Sequence, residues 1–250
     1  MTALLALTPL QMLAMGFITL FGGVVRGFSG FALSAIVMST AVLFLAPVEL
    51  IPLCWWLEMG ASILLIRGGF GEADRRIVWG LVITSTIGVP LGLALTTTLP
   101  ELTTKVIALA IIIALALLQL AKIRLGFLAT NTGLYIAGLL AGVVTGLASV
   151  GGMVVALYVL SQQSPPRQMR ASLVMFLFIS EITSLATFLL YGVMDGTAVW
   201  RGLLFMLPTM AGVWLGQRLF TPRLEPYYRP FCLALLTLLA TIGLMRLTLT

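Results

Sequence analysis

The sequence predicts an all-α integral membrane protein made of two inverted repeats of five helical segments each, and three observations carry that prediction. Of 250 residues, 60% are hydrophobic and 9% are charged, against roughly a quarter charged in soluble domains, so polar residues are too few to cover a water-soluble globule. Ten apolar runs follow one another along the chain. The glycine motifs of the first half return in the same order in the second. No stretch resembles a soluble domain, since the longest charge-rich stretch is Arg67 to Arg76. The chain reads as one polytopic unit.

The runs are judged against the roughly 20 residues that cross a hydrocarbon core. The first, at about 10–25, follows MTALLALTPLQ. That stretch has no basic residue ahead of its apolar part, so it lacks the charged region of a cleavable signal peptide and reads as the start of a membrane segment. The second run, 30–46, restarts after RGFSG at Arg26 to Gly30. The third, 48–66, carries Glu58 near its middle, with Trp55 and Trp56 near its start, where an interfacial aromatic belt is expected. The fourth, 77–98, contains GVPLG at Gly88 to Gly92, and the fifth, 102–121, opens beside Glu101 and Lys105. A polar linker, Lys122 to Asn131, separates the halves. The sixth run, 132–147, holds GVVTG at Gly142 to Gly146, and the seventh, 150–161, follows TGLASVGG at Thr145 to Gly152. The eighth, 171–191, has Glu181 near its middle. The ninth, 197–219, contains GVWLG at Gly212 to Gly216, and the tenth, 230–247, follows Glu225 and Arg229. Pro90 and Pro208 fall inside long runs at non-equivalent places, where proline kinks a helix and frees a carbonyl.

The duplication rests on motif order. GVVRG at Gly23 to Gly27 matches GVVTG, GVPLG matches GVWLG, and the pair Glu101/Lys105 matches Glu225/Arg229, the last two at one offset of 124 residues. Residues 1–125 and 126–250 are therefore expected to be two membrane repeats forming one transport unit. An odd number of segments per repeat makes the second copy enter from the opposite side, an architecture common among secondary transporters. Alternation then puts ten of the fourteen basic residues, Arg67, Arg75, Arg76, Lys122, Arg124, Arg167, Arg170, Arg218, Arg223 and Arg229, on one side. Lys105, Arg201 and Arg246 fall opposite, and Arg26 belongs to neither group. By the positive-inside rule the ten mark the cytoplasm, so both termini are expected outside.

The first two segments of each repeat are joined by short glycine-rich linkers, and the seventh, of about 12 residues, reaches only about 18 Å as a helix. Hairpins that dip into the membrane and return, one from each side, suit these lengths, the alternative being full spans with tight turns at the surface. Irregular backbone at depth is tolerated only where protein or a wet cavity satisfies it, which makes the two linkers the expected binding site.

Missing residues prune the chemistry. The chain has no histidine and two cysteines, Cys54 and Cys232, both inside apolar runs. Zinc and haem would lack their usual ligands, the thiols read as core residues, and no cofactor is expected. Gly27-Phe28-Ser29-Gly30 spells the GxSG of an intramembrane serine protease, but its serine would have no histidine base. Both aspartates, Asp74 and Asp195, fall in loops, which removes an aspartyl protease. The chain is not expected to be an enzyme. The net charge of +6 is spread over several loops, so it orients the protein and does not read as a nucleic-acid surface.

The paired glycine-rich openings, the GVxLG motifs of the fourth and ninth segments and the apolar length together resemble the sulfite exporter TauE/SafE family of bacterial membrane transporters, also called the toluene sulfonate uptake permease family. The resemblance implies a carrier in the bacterial inner membrane that moves sulfite, sulfonates or related organosulfur anions with protons. Its partners would be a small anion, protons and the bilayer. An anion channel, or a carrier of another small anion such as a carboxylate, remains the alternative.

Within that expectation, Arg26 is costly in a membrane segment unless paired or wet, and its planar fork suits a sulfonate, sulfite or carboxylate. The other reading is an arginine at the end of a full span, snorkelling to the headgroups. Gly27, Ser29 and Gly30 in one linker and Ser149, Gly151 and Gly152 in the other precede helix starts whose open N–H groups attract anions. The same glycines also suit close helix contacts, the reading preferred for Gly88/Gly92 and Gly212/Gly216. Glu58 and Glu181 are acids deep in equivalent segments, where a carboxyl is protonated or paired. They carry the coupling proton, or one of them neutralises Arg26, or they serve simple polar packing. The remaining acids, including Glu49, lie at segment ends.

Overall fold

The computed structural model describes residues 5–66, 71–121, 126–162, 165–219 and 225–249. Arg67, Lys122, Arg124, Arg223 and both chain ends lie outside these, as do the side chains of Arg167, Glu225 and Arg229. Among the described residues the chain is all-helical. Ten α-helices follow in order: α1 Pro9–Ser29, α2 Leu33–Ala41, α3 Pro47–Leu65, α4 Arg75–Thr98, α5 Glu101–Leu120, α6 Asn131–Ala148, α7 Gly151–Ser161, α8 Pro166–Leu190, α9 Gly196–Leu219 and α10 Glu225–Leu249. A short 3-10 turn, Gly126–Ala129, precedes α6. One helix corresponds to each apolar run, and seven are long and apolar enough to cross a membrane.

Local chemistry sets the ends. At α1, the Thr8 hydroxyl accepts the Gln11 N–H, the Gln11 side chain accepts the Thr8 N–H, and Pro9 occupies the first turn. Asp74 caps α4 by accepting from Arg76 and Ile77. The second run is shorter than its apolar length suggests, because α2 has nine residues, about 14 Å of helix. Residues 42–46 are apolar but leave the helix as a turn, and Pro47 opens α3. The residue before a proline avoids helical geometry, a break that hydrophobicity does not register. With α7 at eleven residues, the second helix of each half is too short to cross a core of about 30 Å, whereas α1 and α6 have the length to do so.

The most extensive contacts join the halves: α4 packs on α6, and α1 packs on α9. A methyl group at Gly88 would strike the Leu139 carbonyl, and one at Gly92 the Val143 carbonyl, so α4 and α6 run in the same direction. Across the same seam, a methyl at Gly142 or Gly146 would strike the carbonyls of Ser85 or Val89. The second seam repeats the first, with Gly23 and Gly27 facing the carbonyls of Thr209 and Val213, and Gly212 and Gly216 facing those of Leu20 and Val24. The GVPLG motif therefore docks on GVVTG and GVWLG docks on GVVRG, each from the opposite half. Small residues let the backbones meet, and the buried Thr96 hydroxyl closes the first seam by donating to the Gly146 carbonyl at 2.9 Å. Gly92→Ala is expected to cost about 1–3 kcal/mol, as overpacking does, because the facing atoms are backbone and cannot swing away. Thermal unfolding in detergent measures it, with Gly16→Ala, whose added methyl has open space, as the unchanged control.

One placement differs from the sequence expectation. Trp55 is not part of an interfacial belt: it is buried, and its Nε1 donates to the Glu181 carbonyl at 2.7 Å. It packs edge-on to Trp56 with ring centres 5.0 Å apart. The indole N–H finds its acceptor across the α3–α8 contact, which position along the run does not reveal. Glu49 lies at a helix start, as its place at a segment end implies, but it also pairs at 3.0 Å with the buried Arg201, whose Nε donates to the Leu5 carbonyl, a partner the sequence does not reveal. Lys105 pairs with Glu101 at 2.6 Å. Two of the three basic residues opposite the main group are thus neutralised by local acids.

Candidate functional site

The two linkers fold by the same device. Gly30 closes α1 in the left-handed region (φ 81°) with its N–H on the Arg26 carbonyl, and Ser149 closes α6 likewise (φ 55°) with its N–H on the Thr145 carbonyl. Such a residue satisfies carbonyls that the helix end would strand. Ala32, just before α2, is also left-handed (φ 77°). Left-handed Ala and Ser are uncommon and cost about 1–3 kcal/mol each, so the surroundings hold the linkers in shape.

Both linkers meet at one small cavity that is open at its mouth. Ser34 of α2, Glu58 of α3, Ser149, Gly151 and Gly152 at the start of α7, and Glu181 of α8 line it, with Phe31 and Phe176 as apolar walls. Cys54 lies close to the hydroxyls of Ser34 and Ser149. Helix starts from both halves and both deep acids therefore share one small chamber with mixed polar and apolar walls.

Arg26 lies behind this wall. It is 0% exposed and does not reach the surface, so the headgroup-snorkelling reading finds no support in its position. Its Nε is 3.0 Å from Glu58 Oε2, its Nη2 donates to Ser62 Oγ at 3.1 Å, and its Nη1 has no hydrogen-bond partner among the described residues. Glu58 Oε1 accepts from the Ser34 hydroxyl at 2.9 Å and from the Ser34 N–H at 3.3 Å. That N–H belongs to the first turn of α2, where a negative charge is favoured.

Glu181 differs from its counterpart. Its side chain is buried against the cavity but makes no ion pair or hydrogen bond with a described residue. Trp55 and Ser184 bond only its backbone carbonyl. Three other nominated residues sit apart. Gly27 is taken up by the α1–α9 seam and offers its carbonyl to Arg170 Nη2 at 2.6 Å. Gly30 lies against the Arg170 side chain. The Ser29 hydroxyl is engaged by its own turn, bonding the Val25 and Phe31 backbone. Sequence reading missed Ser34, Phe176 and Ser180 at the cavity, because a serine or phenylalanine in an apolar helix looks the same at every depth. No group of three metal-ligating side chains forms among the described residues.

No curated protein and no solved structure matches the chain. A sequence profile described as Sulfite exporter TauE/SafE matches residues 15–242, a range that takes in both helix seams, both linkers and every residue of the cavity. The chain therefore belongs to the sulfite exporter TauE/SafE family of multi-pass membrane transporters.

Proposed function

We propose that this transporter moves a small sulfur oxyanion, such as sulfite or a sulfonate of the sulfoacetate or taurine-related kind, across the bacterial inner membrane together with protons. The observation that carries the reading is the convergence of two helix starts from opposite halves and two buried acids on one cavity, with the buried Arg26 paired to Glu58 behind its wall. Helix N-termini and arginine supply anion affinity without a catalytic group. The glycines let a tetrahedral or pyramidal oxyanion approach the amides. Glu58 and Glu181 are the proton carriers of this scheme, and Glu181 makes no ion pair with a described residue.

Residues 1–125 and 126–250 act as two inverted repeats in one transport unit. The parallel packing of α1 on α9 and of α4 on α6 supports this, because inverted five-segment copies bring the first segment of one repeat and the fourth of the other into the same direction. Both termini then face the periplasm. Reporter fusions at Met1 and Thr250 should give a periplasmic signal at each end, and a cytoplasmic signal from either would sink the ten-segment topology.

The substrate reading is tested by thermal unfolding of the purified protein with sulfite, thiosulfate, sulfoacetate, taurine, sulfate and simple carboxylates. A ligand that binds only the folded state stabilises it with the logarithm of its saturation, about 2.7 kcal/mol at a hundred times its Kd. A sulfur oxyanion should give the largest shift, and a larger shift from a carboxylate would reassign the substrate.

A further inference from the structure

The donors that suit an incoming anion at α2 are already occupied. The Ser34 N–H and hydroxyl both point to Glu58 Oε1, and Arg26 Nε meets Glu58 Oε2. A carboxylate from α3 therefore fills the place where the helix start and the guanidinium would jointly hold an oxyanion. At the start of α7, in the same cavity, no acceptor among the described residues takes the N–H groups of Gly151 and Gly152. The two halves of the chamber differ in that α2 carries an internal anion and α7 does not.

We propose that Glu58 is a tethered stand-in for the transported anion: its carboxylate occupies the α2 half of the site, and the anion gains Arg26 and Ser34 only when Glu58 takes up a proton and lets go. The inference rests on the anion-transport reading and adds the means by which proton and anion are linked. Two anions cannot share one guanidinium edge and one pair of Ser34 donors, so ionised Glu58 and substrate exclude each other. A protonated Glu58 keeps no ion pair, and Arg26, with Nη1 already unpartnered and Nη2 on a neutral serine, can turn its fork to the newcomer. Proton and anion then bind together, and by reciprocity each raises the affinity for the other.

The groups that face Glu58 allow this. Arg26 of α1 is the cation beside it, Glu181 of α8 stands across the cavity, and Cys54 lies one turn back on α3. Helices α2 and α6 bring no charged residue. On α9, Arg201 is held by Glu49, and on α5 Lys105 is held by Glu101. Arg170 of α8 donates to the Gly27 carbonyl, Arg76 of α4 to Asn131, and Arg218 of α9 stacks on Trp214, so among the described residues Arg26 is the cation that pairs with Glu58.

The test is calorimetric titration of the purified full-length protein with thiosulfate and with methanesulfonate, neither of which changes charge between neutral and mildly acidic pH. For the wild type, affinity should rise about tenfold per pH unit as pH falls, the slope of one linked proton, and buffers of different ionisation enthalpy should report proton uptake on binding. Glu58→Gln should bind at least as tightly as the wild type at its best and lose the slope. Glu181→Gln should keep the slope. A pH-independent wild type, a Glu58→Gln protein that binds more weakly than the wild type at neutral pH, or a slope that vanishes in Glu181→Gln overturns the proposal. Should Glu58→Gln fail to fold, the wild-type slope and proton uptake together with Glu181→Gln still decide it. If neither anion binds the wild type, the transport reading itself falls and takes this inference with it.

Discussion

Arg26→Ala is expected to be the most damaging single substitution around the cavity. It leaves the buried Glu58 carboxylate with the two Ser34 donors and no cation, and breaking a buried ion pair from one side costs about 3–5 kcal/mol. Anion affinity should fall by more than about 1.5 kcal/mol, the lower range for a charge-assisted hydrogen bond. Unfolding in detergent and ligand titration read the two effects separately. The double variant Arg26→Ala, Glu58→Gln discriminates between the roles of the arginine. A neutral amide needs no counter-charge, so most of the stability should return, while anion binding should stay weak. A double variant that binds the anion as well as the wild type would make Arg26 only the partner of Glu58 and remove it from the anion site.

The second large effect concerns the acids as a pair. Glu58→Gln, Glu181→Gln should abolish accumulation driven by a pH gradient in reconstituted vesicles while leaving exchange of substrate for substrate largely intact. Glutamine has the shape and donor of the protonated acid, so the cavity keeps its form while the proton sites are gone. At Glu181 the exchange breaks no ion pair or side-chain hydrogen bond with a described residue. At Glu58 the Ser34 bonds can persist to an amide oxygen, and Arg26 is freed. If the acids served only to balance Arg26, the substitution would weaken the fold or impair both transport modes alike. A double variant that still concentrates substrate against its gradient, given only a proton gradient, would exclude both acids from coupling.

How these residues meet was only partly legible in the sequence. Glu58 and Glu181 stand out because an acid in an apolar run of that length is expensive, and Arg26 stands out for the same reason. The glycine motifs also stand out, but as a duplication. That they are one another's docking partners, GVPLG on GVVTG and GVWLG on GVVRG, depends on which helices lie side by side. Two motifs that recur in register look alike whether they touch or not. The second run shows the opposite failure. Val42 to Ala46 are as apolar as a helix interior, yet the chain turns there, since hydrophobicity reports the surroundings of a residue and not its backbone angles.

Composition and run length by themselves determined that this is a polytopic helical membrane protein, because a bilayer core demands apolar helices whose backbone bonds are satisfied within each segment, and that demand is written residue by residue. The order of the glycine motifs is the ground for the proposed division into two repeats. Only the tertiary structure decided that Glu58 belongs to Arg26 and Ser34 while Glu181 pairs with none of the described residues. It also decided that the linkers share one chamber and that Trp55 is buried across the α3–α8 contact. Those pairings join residues from 24 to 126 positions apart. Over such separations, side-chain distance is set by how whole helices pack, and a residue's own chemistry says what it needs in the interior without saying which neighbour supplies it.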